Sequence, residues 1–103
     1  RYPDVSIIMG HSGAEQRAME IAAEVVRAHE HVYGDTAFSR GREGNIEWMV
    51  DTFGAGRVVF GTDMPFLDPV PTVGRIALAD IEESEKKAIF GGTVQKILDR
   101  SFT

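Results

Sequence analysis

Three short, β-branched apolar runs, separated by stretches whose apolar residues recur every three to four positions, constrain this chain more than any other feature. The runs are Val5-Ser6-Ile7-Ile8-Met9, Val32-Tyr33-Gly34-Asp35-Thr36 and Arg57-Val58-Val59-Phe60-Gly61. Turn-forming residues bound them: Pro3-Asp4 and Gly10 flank the first, which reads as a buried strand, and Thr62-Asp63-Met64-Pro65 closes the third. Between the first two, Ala18, Ile21, Ala22 and Val25 fall at i, i+3, i+4 and i+7 among charged residues, which predicts an amphipathic helix with those four turned inward. Ser12 stands at its N-cap and Glu15 completes a capping-box spacing. Between the second and third runs, Ile46, Met49, Val50 and Phe53 repeat the pattern until Gly54-Ala55-Gly56 stops it. The order is β-α-β-α-β, and helical crossovers of this kind join parallel strands.

Beyond Pro71 the periodicity weakens. Val73, Ile76 and Ala77 suggest one helix, and Ala88-Ile89-Phe90 before Gly91-Gly92 suggests a shorter one. Thr93 can cap a last helix whose inward stripe is Val94, Ile97 and Leu98. With 103 residues, no internal repeat and no linker composition, the chain reads as a single α/β domain over 1–103.

Charge and cysteine content narrow the chemistry. Eleven Lys and Arg stand against sixteen Asp and Glu, giving a formal net charge of −5, and no basic cluster is present to neutralise phosphates. Nucleic acid and anionic membrane are therefore not expected partners. No apolar run approaches the roughly 20 residues of a membrane helix and no leader is visible, so a soluble, cytoplasmic protein is expected. The absence of cysteine excludes disulfides, thiolate nucleophiles and thiolate metal ligands, so any metal must be held by histidine and carboxylate. The first residue is Arg1, which reads as processing or as a piece of something longer.

In a parallel sheet all strands end on one edge, and ligands gather there. That edge carries His11 after the first run, Asp35 and Thr36 at the end of the second, and Thr62 and Asp63 after the third. A histidine and an aspartate in one cleft can ligate a divalent metal or hold and deprotonate a water. His11 and Asp63 are the candidates on this ground, although a Gly-His-Ser-Gly turn is also an ordinary helix start and Asp63 also suits the turn before Pro65. Asp35 reads as a strand-end residue making local hydrogen bonds. His29 and His31 look like a metal pair but fall at a helix end, where an i, i+2 spacing points the rings apart and the dipole favours partly protonated imidazole. Trp48, Arg40 and Arg42 read as packing or surface residues, with Arg42 placed to meet a carboxylate.

Taken together, Tyr2-Pro3-Asp4-Val5 leading into IIMGHSG, then VYGDTA, then RVVFGTDMPF, then an acidic helix ending in Gly-Gly before a short helix, resemble the second amidohydrolase family. Its members, similar to aminocarboxymuconate-semialdehyde decarboxylase, are metal-dependent hydrolases and decarboxylases on a (β/α)8 TIM barrel. The resemblance covers nearly the whole chain and implies its carboxyl-terminal portion, strands six to eight and the helices that follow. A barrel of roughly 250 residues allots about 31 to each unit, which suits three units and a terminal helix here. By the same resemblance, His11 contacts the attacking water or substrate as acid or base. Asp63 is a metal ligand and proton acceptor, and Asp35 is structural.

The first-strand His-x-His and the fifth-strand histidine of the family have no counterpart in this sequence, and Thr93 stands where an asparagine is usual. His11 and Asp63 alone cannot fill a catalytic zinc site, which takes three protein ligands, so the isolated piece is expected to be inactive and to bind metal weakly. The resemblance implies a zinc-dependent hydrolase acting on a small-molecule substrate, completed by the remainder of the barrel or by a homo-oligomer. Non-oxidative decarboxylation is the alternative. A non-catalytic ligand-binding α/β module or an inactive fragment is the other, although no G-x-G-x-x-G or phosphate loop follows any strand.

Overall fold

A computed structural model of the chain describes residues 4–10, 16–37 and 44–102. The elements follow in the order β1 (Ile7–Met9), α1 (Gln16–Ala28), β2 (Val32–Asp35), α2 (Asn45–Phe53), a 3-10 turn (Ala55–Arg57) and β3 (Val58–Val59). Then come α3 (Pro69–Ala77), α4 (Glu83–Lys87), a π-helical turn (Ala88–Gly92) and α5 (Thr93–Phe102). The strands form a parallel sheet in the order β1-β2-β3, as the alternation of runs and helices predicts. No helix among the described residues is long and apolar enough to cross a membrane.

Register explains which side of the sheet carries the core. Ile7 pairs with Val32, and Gly34 with Val58, so Ile7, Met9, Val32, Gly34 and Val58 share one face. Val32 and Val58 there pack in one cluster with Met19, Ala22, Ala23 and Val26 of α1 and Ile46, Met49, Val50 and Phe53 of α2. Ile76 and Ala79 at the end of α3, and Ile89 of the π turn, extend the same cluster. The α2 stripe is the one its periodicity predicts, and Gly54, at φ 85°, ends that helix with its amide donating to Val50 O.

The inward face of α1 differs from the expected one. Ala18 and Ile21 are exposed, Ile21 by 56%, while Met19 and Val26 are almost fully buried. Both the 18-21-22-25 and 19-22-23-26 sets satisfy helical spacing, so the pattern has two adjacent stripes one residue apart, and tertiary packing selects the second. The capping pair Ser12 and Glu15 lies outside the described residues.

β1 is not the buried strand expected. Val5, Ile7 and Ile8 are 46 to 52% exposed, because β1 pairs only with β2 and no described strand lies along its other edge. Thr93 is not a cap either. The chain passes from α4 through the π turn into α5 with helical dihedral angles at Thr93, whose amide donates to Ala88 O, so α5 continues the preceding turn without a capped start. Its buried hydroxyl instead donates to Ala55 O at 2.9 Å, fastening α5 to the turn before β3. Of the α5 stripe only Ile97 is buried; Val94 and Leu98 remain partly exposed.

The amino-terminal edge of the sheet is held by Arg57. Its guanidinium donates to Val32 O from Nε at 2.9 Å and from Nη2 at 2.7 Å, to Val26 O at 2.8 Å, and to His29 O. The same group lies 5.6 Å from the centre of the Tyr33 ring. A single cation thus serves the carbonyls that the end of α1 leaves without helical partners, and ties β3 to the α1–β2 turn. Arg100 closes the other side, donating to Asp4 O and Ser6 Oγ at 2.9 and 2.8 Å and joining α5 to the entry of β1.

Candidate functional site

The carboxyl-terminal edge is built where β2 and β3 run out. The last regular rung is the Thr36 amide donating to Val59 O at 3.2 Å. One step on, the backbone ladder is replaced by a side chain. Thr36 Oγ1 donates to Gly61 O at 2.9 Å and accepts from the Gly61 amide at 3.0 Å, and Thr36 is fully buried. Position 61 has little room: a Cβ there would lie 3.1 Å from the Ala37 Cβ and 3.5 Å from Asp35 Oδ2. Glycine at this point lets the two strand ends approach closely and brings Asp35 beside the start of the loop that carries Asp63.

That loop is short and internally bonded. Thr62 Oγ1 accepts from the Met64 amide at 3.2 Å, and Asp63 O accepts from the amides of Phe66 and Leu67 at 2.9 and 3.2 Å. Asp68 then caps α3, its carboxylate accepting from the Val70 amide at 2.9 Å with Pro69 in the first turn. Asp63 has φ +63°, the left-handed region, which costs a residue with a Cβ roughly 1 to 2 kcal/mol and which Asp and Asn tolerate best. Its side chain is half-buried, and among the described residues no donor is bonded to its carboxylate. The turn that contains Pro65 is closed by the Asp63 main-chain carbonyl.

The sequence candidates divide as follows. Asp35 and Asp63 both lie at the carboxyl edge, Asp35 half-buried on the face it shares with Val59. His11 lies outside the described residues, as do Arg40 and Arg42. His29 and His31 sit past the end of α1 at the opposite edge: exposed His29 still bonds the helix through its amide to Val25 O, as a helix-end residue, whereas His31 lies in the turn into β2 and lends its carbonyl to the Ile7 amide, so the helical i, i+2 spacing does not extend to it. Trp48 packs, its ring meeting that of Phe53 edge-on at 5.9 Å between centres. Thr36 was legible only as a strand-end neighbour of Asp35. A buried β-branched hydroxyl one residue past a strand, facing a glycine two residues past the next, is the pattern that marks it.

A divalent metal needs several donors, and the described residues alone do not fit one: no three His, Asp or Glu side chains among them come together.

The parallel sheet with helices on one face, and an aspartate held in a left-handed turn at its carboxyl edge, define an α/β protein of the kind that places ligands at strand ends. The chain belongs to the amidohydrolase family, whose sequence profile matches residues 1–100. Members of this family generally use divalent metals in hydrolysis and related reactions. No curated protein matches the chain in sequence.

Proposed function

We propose that this chain forms strands six to eight and the closing helices of an amidohydrolase (β/α)8 barrel, similar to aminocarboxymuconate-semialdehyde decarboxylase, and that the whole protein hydrolyses a small-molecule substrate. The placement of Asp63 carries the reading: a half-buried carboxylate in a strained backbone conformation at the carboxyl end of a parallel strand, in a chain of this family. Asp63 takes the proton of the attacking water as the new carbon–oxygen bond forms. The bond to the leaving group then breaks, and that proton passes to the departing nitrogen or oxygen. His11 orients the water or steadies the developing oxyanion. Zinc is the ion we propose, with Asp63 among its ligands and the other donors supplied from outside the described residues.

The open edge of β1, with Ile7 and Ile8 about half exposed, supports the remainder of the barrel as the covering partner, a second copy being the alternative. The cytoplasm is the compartment that goes with this reading, and cell fractionation checks it.

The test is a screen of the protein carrying this chain against esters, lactones and amides by acid release, and against unsaturated and aromatic carboxylic acids by CO2 release. Acid release abolished by Asp63→Asn supports hydrolysis. CO2 release with the same dependence converts the reading to decarboxylation, and turnover indifferent to Asp63 overturns it.

A further inference from the structure

We infer that Thr36 is a positioning residue for Asp63, an inference that rests on Asp63 being the proton acceptor. A threonine hydroxyl that donates to the carbonyl and accepts from the amide of one residue occupies both main-chain groups of Gly61 at once. It stands where the β2–β3 ladder ends, after the Thr36 amide has bonded Val59 O, and it fixes the chain two residues before Asp63. From Gly61 onward the contacts run without a gap: Thr62 Oγ1 holds the Met64 amide, and Asp63 O holds those of Phe66 and Leu67. The left-handed turn at Asp63 is therefore tied to the sheet by the side chain of Thr36, which is fully buried.

Two further observations point the same way. The close packing at Gly61, with Ala37 Cβ 3.1 Å and Asp35 Oδ2 3.5 Å from where a Cβ would stand, leaves the loop entry little freedom to re-form elsewhere. The rest of the described loop bonds only within itself and to its neighbours in sequence, so a shift at Gly61 is transmitted to Asp63 rather than absorbed. Catalysis is sensitive to such shifts, a displacement of about 1 Å costing on the order of a hundredfold in rate.

The experiment compares Thr36→Val, which keeps the shape and removes the hydroxyl, with Thr36→Ser, which keeps the hydroxyl, in the protein carrying this chain. Ile76→Val, in the core away from the edge, is the control for general destabilisation. Amide exchange is read by NMR at Gly61 and Phe66, whose amides donate to Thr36 Oγ1 and Asp63 O, and kcat and KM are read on the substrate found in the screen above. Thr36→Val is expected to speed Gly61 and Phe66 exchange at least tenfold beyond the control. It should also lower kcat by roughly tenfold to a hundredfold with KM within twofold, and Thr36→Ser should restore both. Should Thr36→Val not fold, Thr36→Cys, whose thiol bonds weakly, is expected to give the same split at smaller size.

Unchanged exchange at Gly61, or a kcat loss no larger than in Ile76→Val, overturns the inference. If Asp63→Asn stops turnover while Thr36→Val remains fully active, the positioning role fails and the reading of Asp63 stands. If Asp63→Asn is fully active, the reading of the site fails, and the exchange data report that separately.

Discussion

Replacing Arg57 by alanine strips one guanidinium from three carbonyls. His29 is exposed, so its carbonyl regains water in the variant and contributes little to the cost. Val26 and Val32 are 2% and 7% exposed, and their carbonyls lose charged donors at 2.8 Å and at 2.7 and 2.9 Å. At about 1.5 kcal/mol for each buried carbonyl that loses a charged donor, the two together come to about 3 kcal/mol. The contact with the Tyr33 ring adds about 0.5 kcal/mol. Arg57→Lys keeps the charge, but a single ammonium does not match the planar fork that serves several carbonyls, so it recovers about a third of the loss. Urea denaturation of both variants, followed by far-UV circular dichroism, gives the differences, and amide exchange over residues 26–32 localises them. A change under about 0.5 kcal/mol in Arg57→Ala, or equal stability of Arg57→Lys and the parent, would refute the assignment of Arg57 as the tie between α1, β2 and β3.

Other consequences are open to direct measurement. Met49 is fully buried between the helices and the sheet, and Met49→Ala should cost about 3 kcal/mol in the same urea assay. Asp63→Asn should leave the melting temperature within a degree or two, because Asn accepts a left-handed φ as readily as Asp, while turnover is lost. Gly61→Ala should lower turnover more than it lowers stability, its Cβ pressing on Ala37 and toward Asp35, and a crystal structure of the variant should show the strand ends moved apart by a few tenths of an ångström. Zinc titrated by calorimetry into the 103-residue chain alone should bind only weakly, since no three His, Asp or Glu side chains cluster among the described residues.

Much of this architecture is readable from local chemistry. The three apolar runs and the α2 stripe are set by period and by glycine or proline punctuation, which act within a few residues, and β1, β2, β3 and α2 form where those signals fall. What local pattern does not settle is the choice between equivalent faces. Along α1 two apolar stripes lie side by side, and only contact with the sheet and α2 selects Met19 and Val26 over Ala18 and Ile21. The exposure of β1 and the continuous passage from α4 to α5 through Thr93 have the same origin, in which elements lie beside which rather than in their own residues.

Asp63 stood out because strand ends of a parallel sheet share an edge, a rule of topology. Thr36 and Arg57 act across 25 to 31 positions of sequence, and nothing in their immediate neighbours announces the partner. His11, the other residue the topology singles out, lies outside the described residues.

The central claim is that this chain works as part of a larger metal-dependent barrel, and the intact mass of the natural gene product, measured with its metal content by elemental analysis, tests it most directly. The account predicts a product of roughly 30 kDa, the size of a barrel of about 250 residues, carrying about one zinc per chain. A natural product of only these 103 residues, free of metal and still catalytically active, would contradict it.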